Sequence, residues 1–230
     1  MKKRLNFTLV ELAVIVSIIA VFALIFSGCN NSKEKKEKEE MERAHRISCR
    51  NNLRQIGIAF ELYAASNDGH LPAGPAFAGK ELTEKDFYTA SGRAGGFELL
   101  RTGDFLGDYK VYVCPSSSVE EGRSGDSLSW SKAGSGSGKP NLSYAYHPGM
   151  VNGDSIATGK PGSGVCADLT GDAGVDANDG KPNHTNFGNI LYLDGHVQGY
   201  DGAGWFSPEN AGYPNYKVGS KAAIFPNTLR

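Results

Sequence analysis

The N-terminal part of the chain is dominated by one long apolar segment. Residues 7–26 are apolar at nearly every position, and three basic residues precede them. The 21 residues Phe7–Ser27 would form a helix of roughly 30 Å, which matches one hydrocarbon core. A secretory signal has a shorter apolar region, of about 7–15 residues. The pattern predicts a transmembrane helix, in which the one carboxylate, Glu11, needs a partner because an ionisable group in a membrane is costly.

An amphipathic pattern follows the apolar segment. Gly28 and residues 29–32 predict an interruption or a bend, because Gly and Asn are poor helix-interior residues. Residues 33–40 are nearly all Lys and Glu, at spacings that support a solvated helix. We expect one long helix, bent near Gly28, that ends at about Ala65. Apolar residues recur at spacings of three and four along its last turns: Met41, Ala44, Ile47, Leu53, Ile56, Phe60 and Tyr63.

The rest of the chain is rich in Gly, Ser, Asn and Asp, and this composition predicts many loops on a small sheet. We predict a short helix at Phe97–Arg101 and strands at Lys110–Pro115 and Leu142–Tyr146. Two alternating runs flank Asp194-Gly195, which predicts a hairpin with a two-residue turn. The expected fold class is therefore α+β, with a long N-terminal helix packed on a small antiparallel sheet.

Charge and motif content exclude several functions. The net charge is −1, so we expect no nucleic-acid partner. No Gly-x-Ser-x-Gly nucleophile elbow is present in the sequence, and we expect a protein that is not an enzyme.

The four cysteines are Cys29, Cys49, Cys114 and Cys166, and no Cys-x-x-Cys pair occurs among them. An exported region would meet an oxidising compartment, where disulfides form. A bridge from Cys49 on the helix to Cys114 in the sheet region would join the two, and Cys166 is the alternative partner for either cysteine.

An acidic stretch from Asp168 to Gly180 has the spacing of a calcium loop. Oxygen side chains fall at positions 1, 3, 5, 9 and 12, although Gly stands at position seven where an EF-hand has it at six. The alternative interpretation is a solvated acidic turn. Calcium is the only cofactor we expect, and its candidate ligands are Asp168, Thr170, Asp172, Asp176 and Asp179.

The sequence Phe-Thr-Leu-Val-Glu-Leu after a basic leader resembles the N-terminus of type IV prepilins and type II secretion pseudopilins. The resemblance implies that a prepilin peptidase cuts between Asn6 and Phe7 and that Phe7 is then methylated. Asn6 replaces the Gly usual at this position. The resemblance also implies that Glu11 meets the N-terminal amine of a neighbouring subunit, an ammonium that would offset the cost of burying its carboxylate.

Further landmarks resemble the pilin-like proteins with a His-x9-Asp-Gly signature, called prepilin-type processing-associated proteins. They are Ser48–Gly57, Val113–Ser116, and His184 followed after nine residues by Asp194-Gly195. The resemblance implies the pilin architecture and no reaction. His184 and Asp194 have the side chains of a catalytic base and its orienting carboxylate, but we interpret them as structural.

These features divide the chain into a basic leader (1–6), a transmembrane helix (7–28), a charged then amphipathic helix (29–66) and a loop-rich sheet domain (67–230). We expect a single-pass subunit of the cytoplasmic membrane whose globular domain lies on the extracytoplasmic side. It would assemble with like or related pilin-type subunits into an envelope fibre or a type II secretion-like apparatus. The alternative is a membrane-anchored lipoprotein, acylated at Cys29 after Phe26-Ser27-Gly28, that binds a ligand or surface polymer.

Overall fold

The computed structural model describes the backbone of residues 9–69, 71–72, 95–130, 132, 137–146, 164–169, 177–202 and 205; within helix α1, side chains 22–32 are outside the description. Within these ranges the fold is α+β, as predicted. The helices are α1, Leu9–Ala65, and α2, Gly95–Thr102; short 3-10 segments lie at Tyr109–Tyr112 and Ala177–Gly180. The strands are β1, Tyr144–Tyr146; β2, Gly164–Asp168; β3, Phe187–Tyr192; and β4, Val197–Asp201.

The chain divides into two compact units, Met1–Ala44 and His45–Arg230. The first unit contains the N-terminal part of α1, and the described apolar side chains of this part are exposed. The backbone remains α-helical through Gly28 and residues 29–32, which confirms one long helix; of the two predicted alternatives at this point, an interruption is wrong and a bend stays a prediction. A single Gly costs only about 1 kcal/mol relative to Ala, which the surrounding 57-residue helix tolerates. No helix in the described part of the chain is both long enough and apolar enough to cross a membrane.

In the second unit, α1 buries a stripe at helical spacing: Cys49, Leu53, Ile56, Phe60 and Ala64. The stripe begins later than predicted, because Met41 and Ile47 are exposed. Ile47 lies two positions before Cys49, which is about 200° around the helix and therefore on the opposite face. The predicted end of the helix is confirmed.

The sheet is an antiparallel meander with strand order β1-β2-β3-β4. Tyr144 pairs with Asp168 across β1 and β2, and Ala167 pairs with Ile190 across β2 and β3. All five residues of β2 are buried. The sequence analysis did not predict β2, although it lies at the centre of the sheet.

Helix α1 packs closely on β3 at Gly57. A Cβ atom at this position would lie 2.9 Å from Cδ1 of Leu191, so glycine allows the helix to approach the strand. One turn later, the Phe60 ring lies 5.0 Å from that of Tyr146 and 6.2 Å from that of Phe97. The predicted helix around Phe97 is confirmed as α2, and it completes this aromatic part of the core.

The β3–β4 hairpin is confirmed, but its two-residue turn is wrong. Tyr192 N–H donates to His196 O at 2.9 Å, and Gly195 N–H donates to Tyr192 O at 2.9 Å. These bonds enclose the three residues Leu193–Gly195. Gly195 has φ +82°, whereas Asp194 is not among the described residues with positive φ. This geometry corresponds to a turn followed by one left-handed glycine.

The strand predicted at Lys110–Pro115 is also wrong, because Tyr109–Tyr112 is a 3-10 segment. The Asp108 carboxylate accepts a hydrogen bond from Lys110 N at 3.0 Å, and its carbonyl accepts from Val111 N at 3.2 Å. Such local side-chain bonds compete with strand formation. The Leu142–Tyr146 strand is confirmed over Tyr144–Tyr146, with both of its faces buried.

Candidate functional site

Four polar or sulfur-bearing side chains from separate segments meet in the core of the second unit. Cys49 comes from α1, Cys114 follows the first 3-10 segment, Asp168 ends β2, and His184 precedes β3. One ligand atom from each lies within 4.8 Å of those of the others. All four residues are buried, at 0–2% exposure. We call this group the Cys-Asp-His cluster.

Cys49 and Cys114 form a disulfide with a Cα–Cα distance of 5.4 Å and a sequence separation of 65. This is the helix-to-sheet-region pairing favoured in the sequence analysis. Cys166, the alternative partner, is a buried free thiol. Burial raises the pKa of the Cys166 thiol well above its ordinary value, and the charge of Asp168 adds to the effect. Cys166 is therefore a protonated thiol near neutral pH.

His184 lies between the disulfide and the carboxylate. Its Nε2 atom is 3.5 Å from Cys114 Sγ and 3.8 Å from Asp168 Oδ2. The imidazole also makes an edge contact with Phe187, with ring centroids 5.7 Å apart.

Two asparagines hold the Asp168 carboxylate. Oδ2 accepts hydrogen bonds from Asn189 N and Nδ2, both at 2.8 Å, and Oδ1 accepts from Asn183 Nδ2 at 3.3 Å. Burial raises the pKa of the Asp168 carboxyl, while His184 and these donors act in the opposite direction. The carboxylate is therefore both desolvated and fixed in orientation.

Asn52 on α1 joins the segment around Cys114 to the helix and contacts β1 as well. Asn52 Nδ2 donates to Val113 O and lies within hydrogen-bond distance of the Tyr144 hydroxyl, both at 3.1 Å. The Ser117 hydroxyl donates to Cys114 O at 2.8 Å. These bonds hold Cys114 against the helix that carries its disulfide partner.

His184 and Asp194, which the sequence analysis interpreted as structural, have different surroundings, and the carboxylate next to His184 is that of Asp168. Asp168 lies beside His184, whereas Asp194 is in the exposed hairpin turn and its Oδ1 accepts a hydrogen bond from His196 N at 3.2 Å. Gly195 supplies the positive φ of that turn. The two landmarks thus lie in different places, His184 in the core and Asp194 in a turn.

The two predicted calcium ligands that the structure describes differ in burial. The Asp168 carboxylate is directed into the core by the bonds described above, while Asp179 is exposed with φ +54°. Thr170, Asp172 and Asp176 lie outside the described residues, and so do the processing residues Asn6 and Phe7. Glu11 is in the exposed first turn of α1, and Cys29 has helical backbone with its side chain outside the description.

Sequence reasoning missed the roles of Asn183 and Asn189. Asn189 is the polar first residue of the otherwise apolar Asn189–Leu193 run. Its position at a buried strand could have indicated hydrogen-bond partners, because a buried amide needs them. Asn183 gave no comparable signal, since its bond to Ser143 O at 2.7 Å joins segments 40 residues apart.

The cluster offers redox and ligand chemistry. With the disulfide formed, His184 faces a bonded sulfur, which has no proton for a base to remove. Two-electron reduction would create two thiols beside an imidazole and a carboxylate.

No protein-family model, no curated protein and no solved structure matches this chain.

Proposed function

We propose that this chain is a pilin-like subunit of an envelope fibre or a type II secretion-like apparatus, anchored in the cytoplasmic membrane by its N-terminal helix. The observation that carries the proposal is the prepilin-like sequence beginning at Phe7, which leads directly into the 57-residue helix α1. Leu9 and Val10, at the start of this helix, are 87% and 72% exposed.

The exposed apolar part of α1 favours association with lipid or with other helices. Burying one large apolar side chain contributes about 1.5–3 kcal/mol, so an apolar row at Leu9–Val21 favours an environment other than water. Within lipid, helix association depends on packing and polar contacts. In the proposed assembly, Glu11 accepts hydrogen bonds from the N-terminal amine of an adjacent subunit, which offsets its desolvation.

The globular unit, His45–Arg230, is the part that we place on the extracytoplasmic side. Its Cys49–Cys114 disulfide is the kind of bond that persists in an oxidising compartment. The disulfide supports export and does not distinguish a fibre subunit from an anchored lipoprotein.

Mass spectrometry of the mature N-terminus in the native host tests the proposal. We expect a chain that begins with N-methylated Phe7. A chain that begins with acylated Cys29 would instead establish the lipoprotein, and retention of Met1 would show an unprocessed anchor; either result rejects the proposed processing.

Substitution of Glu11 tests assembly. Glu11→Ala should remove most of the multimers that can be cross-linked in membranes, because the amine of the neighbour then lacks its charged partner. Glu37→Ala is a matched control, since Glu37 is an exposed residue in the charged segment of the same helix. Equal cross-linking of both variants and the wild type would contradict the role of Glu11.

A further inference from the structure

We infer that the Cys-Asp-His cluster is a redox-gated zinc site, which binds Zn²⁺ through Cys49, Cys114, Asp168 and His184 when the disulfide is reduced. This inference is independent of the proposed role in assembly. It assigns to the core a second state in which a metal ion replaces the covalent bond.

The donor atoms are those that zinc prefers. Zn²⁺ binds thiolate sulfur, imidazole nitrogen and carboxylate oxygen, most often four at a time in a tetrahedron. Two thiolates disfavour calcium and magnesium, which take oxygen ligands. The donor set therefore differs from that of the acidic calcium loop predicted from the sequence, although Asp168 belongs to both.

The distances also fit a tetrahedral ion. With metal–sulfur bonds of about 2.3 Å and metal–nitrogen bonds of about 2.0–2.1 Å, ligand atoms around zinc lie roughly 3.2–3.8 Å apart. His184 Nε2 is already 3.5 Å from Cys114 Sγ and 3.8 Å from Asp168 Oδ2. The four ligand atoms all lie within 4.8 Å of one another, and breaking the disulfide would let the two sulfurs separate by side-chain rotation.

The surroundings supply the outer shell that such a site needs. Hydrogen bonds from outer partners orient metal ligands and tune their affinity. Asn183 and Asn189 donate three bonds to the Asp168 carboxylate. A zinc ion with two thiolates, one carboxylate and a neutral imidazole carries a net charge of −1, which these donors would stabilise in the buried site.

Disulfide reduction and zinc binding are separate steps. A phosphine reductant and water convert the disulfide into two thiols, and the phosphine becomes its oxide. Zn²⁺ then displaces one proton from each thiol and accepts lone pairs from His184 and Asp168. Reoxidation of the two thiolates by a disulfide oxidant releases the ion and reforms the Cys49–Cys114 bond, while the oxidant takes up two electrons from the thiolates and two protons from solvent and becomes a dithiol.

The test is a Zn²⁺ titration of the full-length protein in detergent, with and without phosphine reduction and against a chromophoric chelator. We expect one equivalent to bind the reduced protein at least about 100-fold more tightly than the oxidised protein, because loss of even an outer-shell partner costs 10–100-fold. Co²⁺ in place of Zn²⁺ should give thiolate-to-metal charge transfer and the visible bands of a tetrahedral ion.

Two variants separate this site from adventitious binding by loose thiols. His184→Gln should lower the zinc affinity of the reduced protein at least about 100-fold, as expected for the loss of a direct ligand. Cys166→Ala should leave it unchanged, because Cys166 is a free thiol outside the cluster. Equal binding by the oxidised and reduced wild-type proteins would overturn the inference, and so would a loss caused by Cys166→Ala but not by His184→Gln.

Discussion

Removing the Cys49–Cys114 disulfide should destabilise the protein by about 2–4 kcal/mol. The bond joins residues 65 positions apart, and the intervening chain contains the end of α1, all of α2 and the first 3-10 segment. In the loop-closure account, a cross-link of this span removes enough entropy from the unfolded chain to contribute about 4 kcal/mol at 25 °C. The Cys49→Ala/Cys114→Ala double variant loses this constraint.

Urea unfolding of the full-length protein in detergent and a metal chelator measures the loss. Trp130 and Trp205 are both buried, so their fluorescence reports unfolding of the second unit. The chelator excludes any contribution from zinc. Cys166→Ala is the control, because it removes one buried sulfur without removing a cross-link, and we expect it to cost about 1 kcal/mol from the cavity alone.

The denaturant dependence provides a second check on the mechanism. An uncrosslinked chain exposes more surface when it unfolds, so the double variant should also have a larger m-value than the wild type. If the double variant unfolds at the wild-type midpoint with the wild-type m-value, the loop-closure reasoning is refuted. Peptide mapping without reduction must also recover Cys49 linked to Cys114, and a linkage of either residue to Cys166 would contradict the structure.

Three further predictions concern other groups in the second unit. Asp168→Asn should cost about 1–3 kcal/mol in urea unfolding, because the amide cannot accept every bond that the carboxylate accepts, whereas Asp194→Asn in the exposed turn should change stability by less than about 0.5 kcal/mol. Burial raises the pKa of the Tyr144 hydroxyl well above its ordinary 10.0. The contribution of this hydroxyl to stability is therefore fully present below pH 10 and is lost as the pH rises through the raised pKa. Between neutral and strongly alkaline pH, the free energy of unfolding should fall less for Tyr144→Phe than for the wild type. Calcium binding by the acidic stretch stays a prediction: the melting temperature should be higher in millimolar calcium than in chelator, and Asp172→Ala should remove that difference.

The sequence predicted the elements whose signals are local. The buried spacing of Leu53, Ile56 and Phe60 follows from helical periodicity, and the turn residues Ser66–Gly69 mark the end of α1. The β3–β4 hairpin is also a local feature, because its two strands adjoin one turn. In each case the determining residues lie within a few positions of one another.

The elements that were missed depend on distant partners or on side-chain bonds. Strand β2 has only five residues, and its pairing with both β1 and β3 fixes it as a strand. The Tyr109–Tyr112 segment alternates like a strand, but the Asp108 cap favours a 3-10 turn. Asp168 belonged to a stretch typical of a solvated acidic loop, and only its long-range bonds to Asn183 and Asn189 explain its burial.

Asp168 and His184 of the Cys-Asp-His cluster differ in what their contacts do for the fold. Asp168 and Asn189 lie next to the Ala167–Ile190 pair of β2 and β3, and a shift of one residue would separate the carboxylate from its donors. Their bonds therefore specify strand register, a role that can justify a buried polar pair. His184 is not part of a strand, so its position does not specify strand register. Its Nε2 atom lies 3.5 Å from Cys114 Sγ and 3.8 Å from Asp168 Oδ2, and these are the atoms that the proposed zinc site would use.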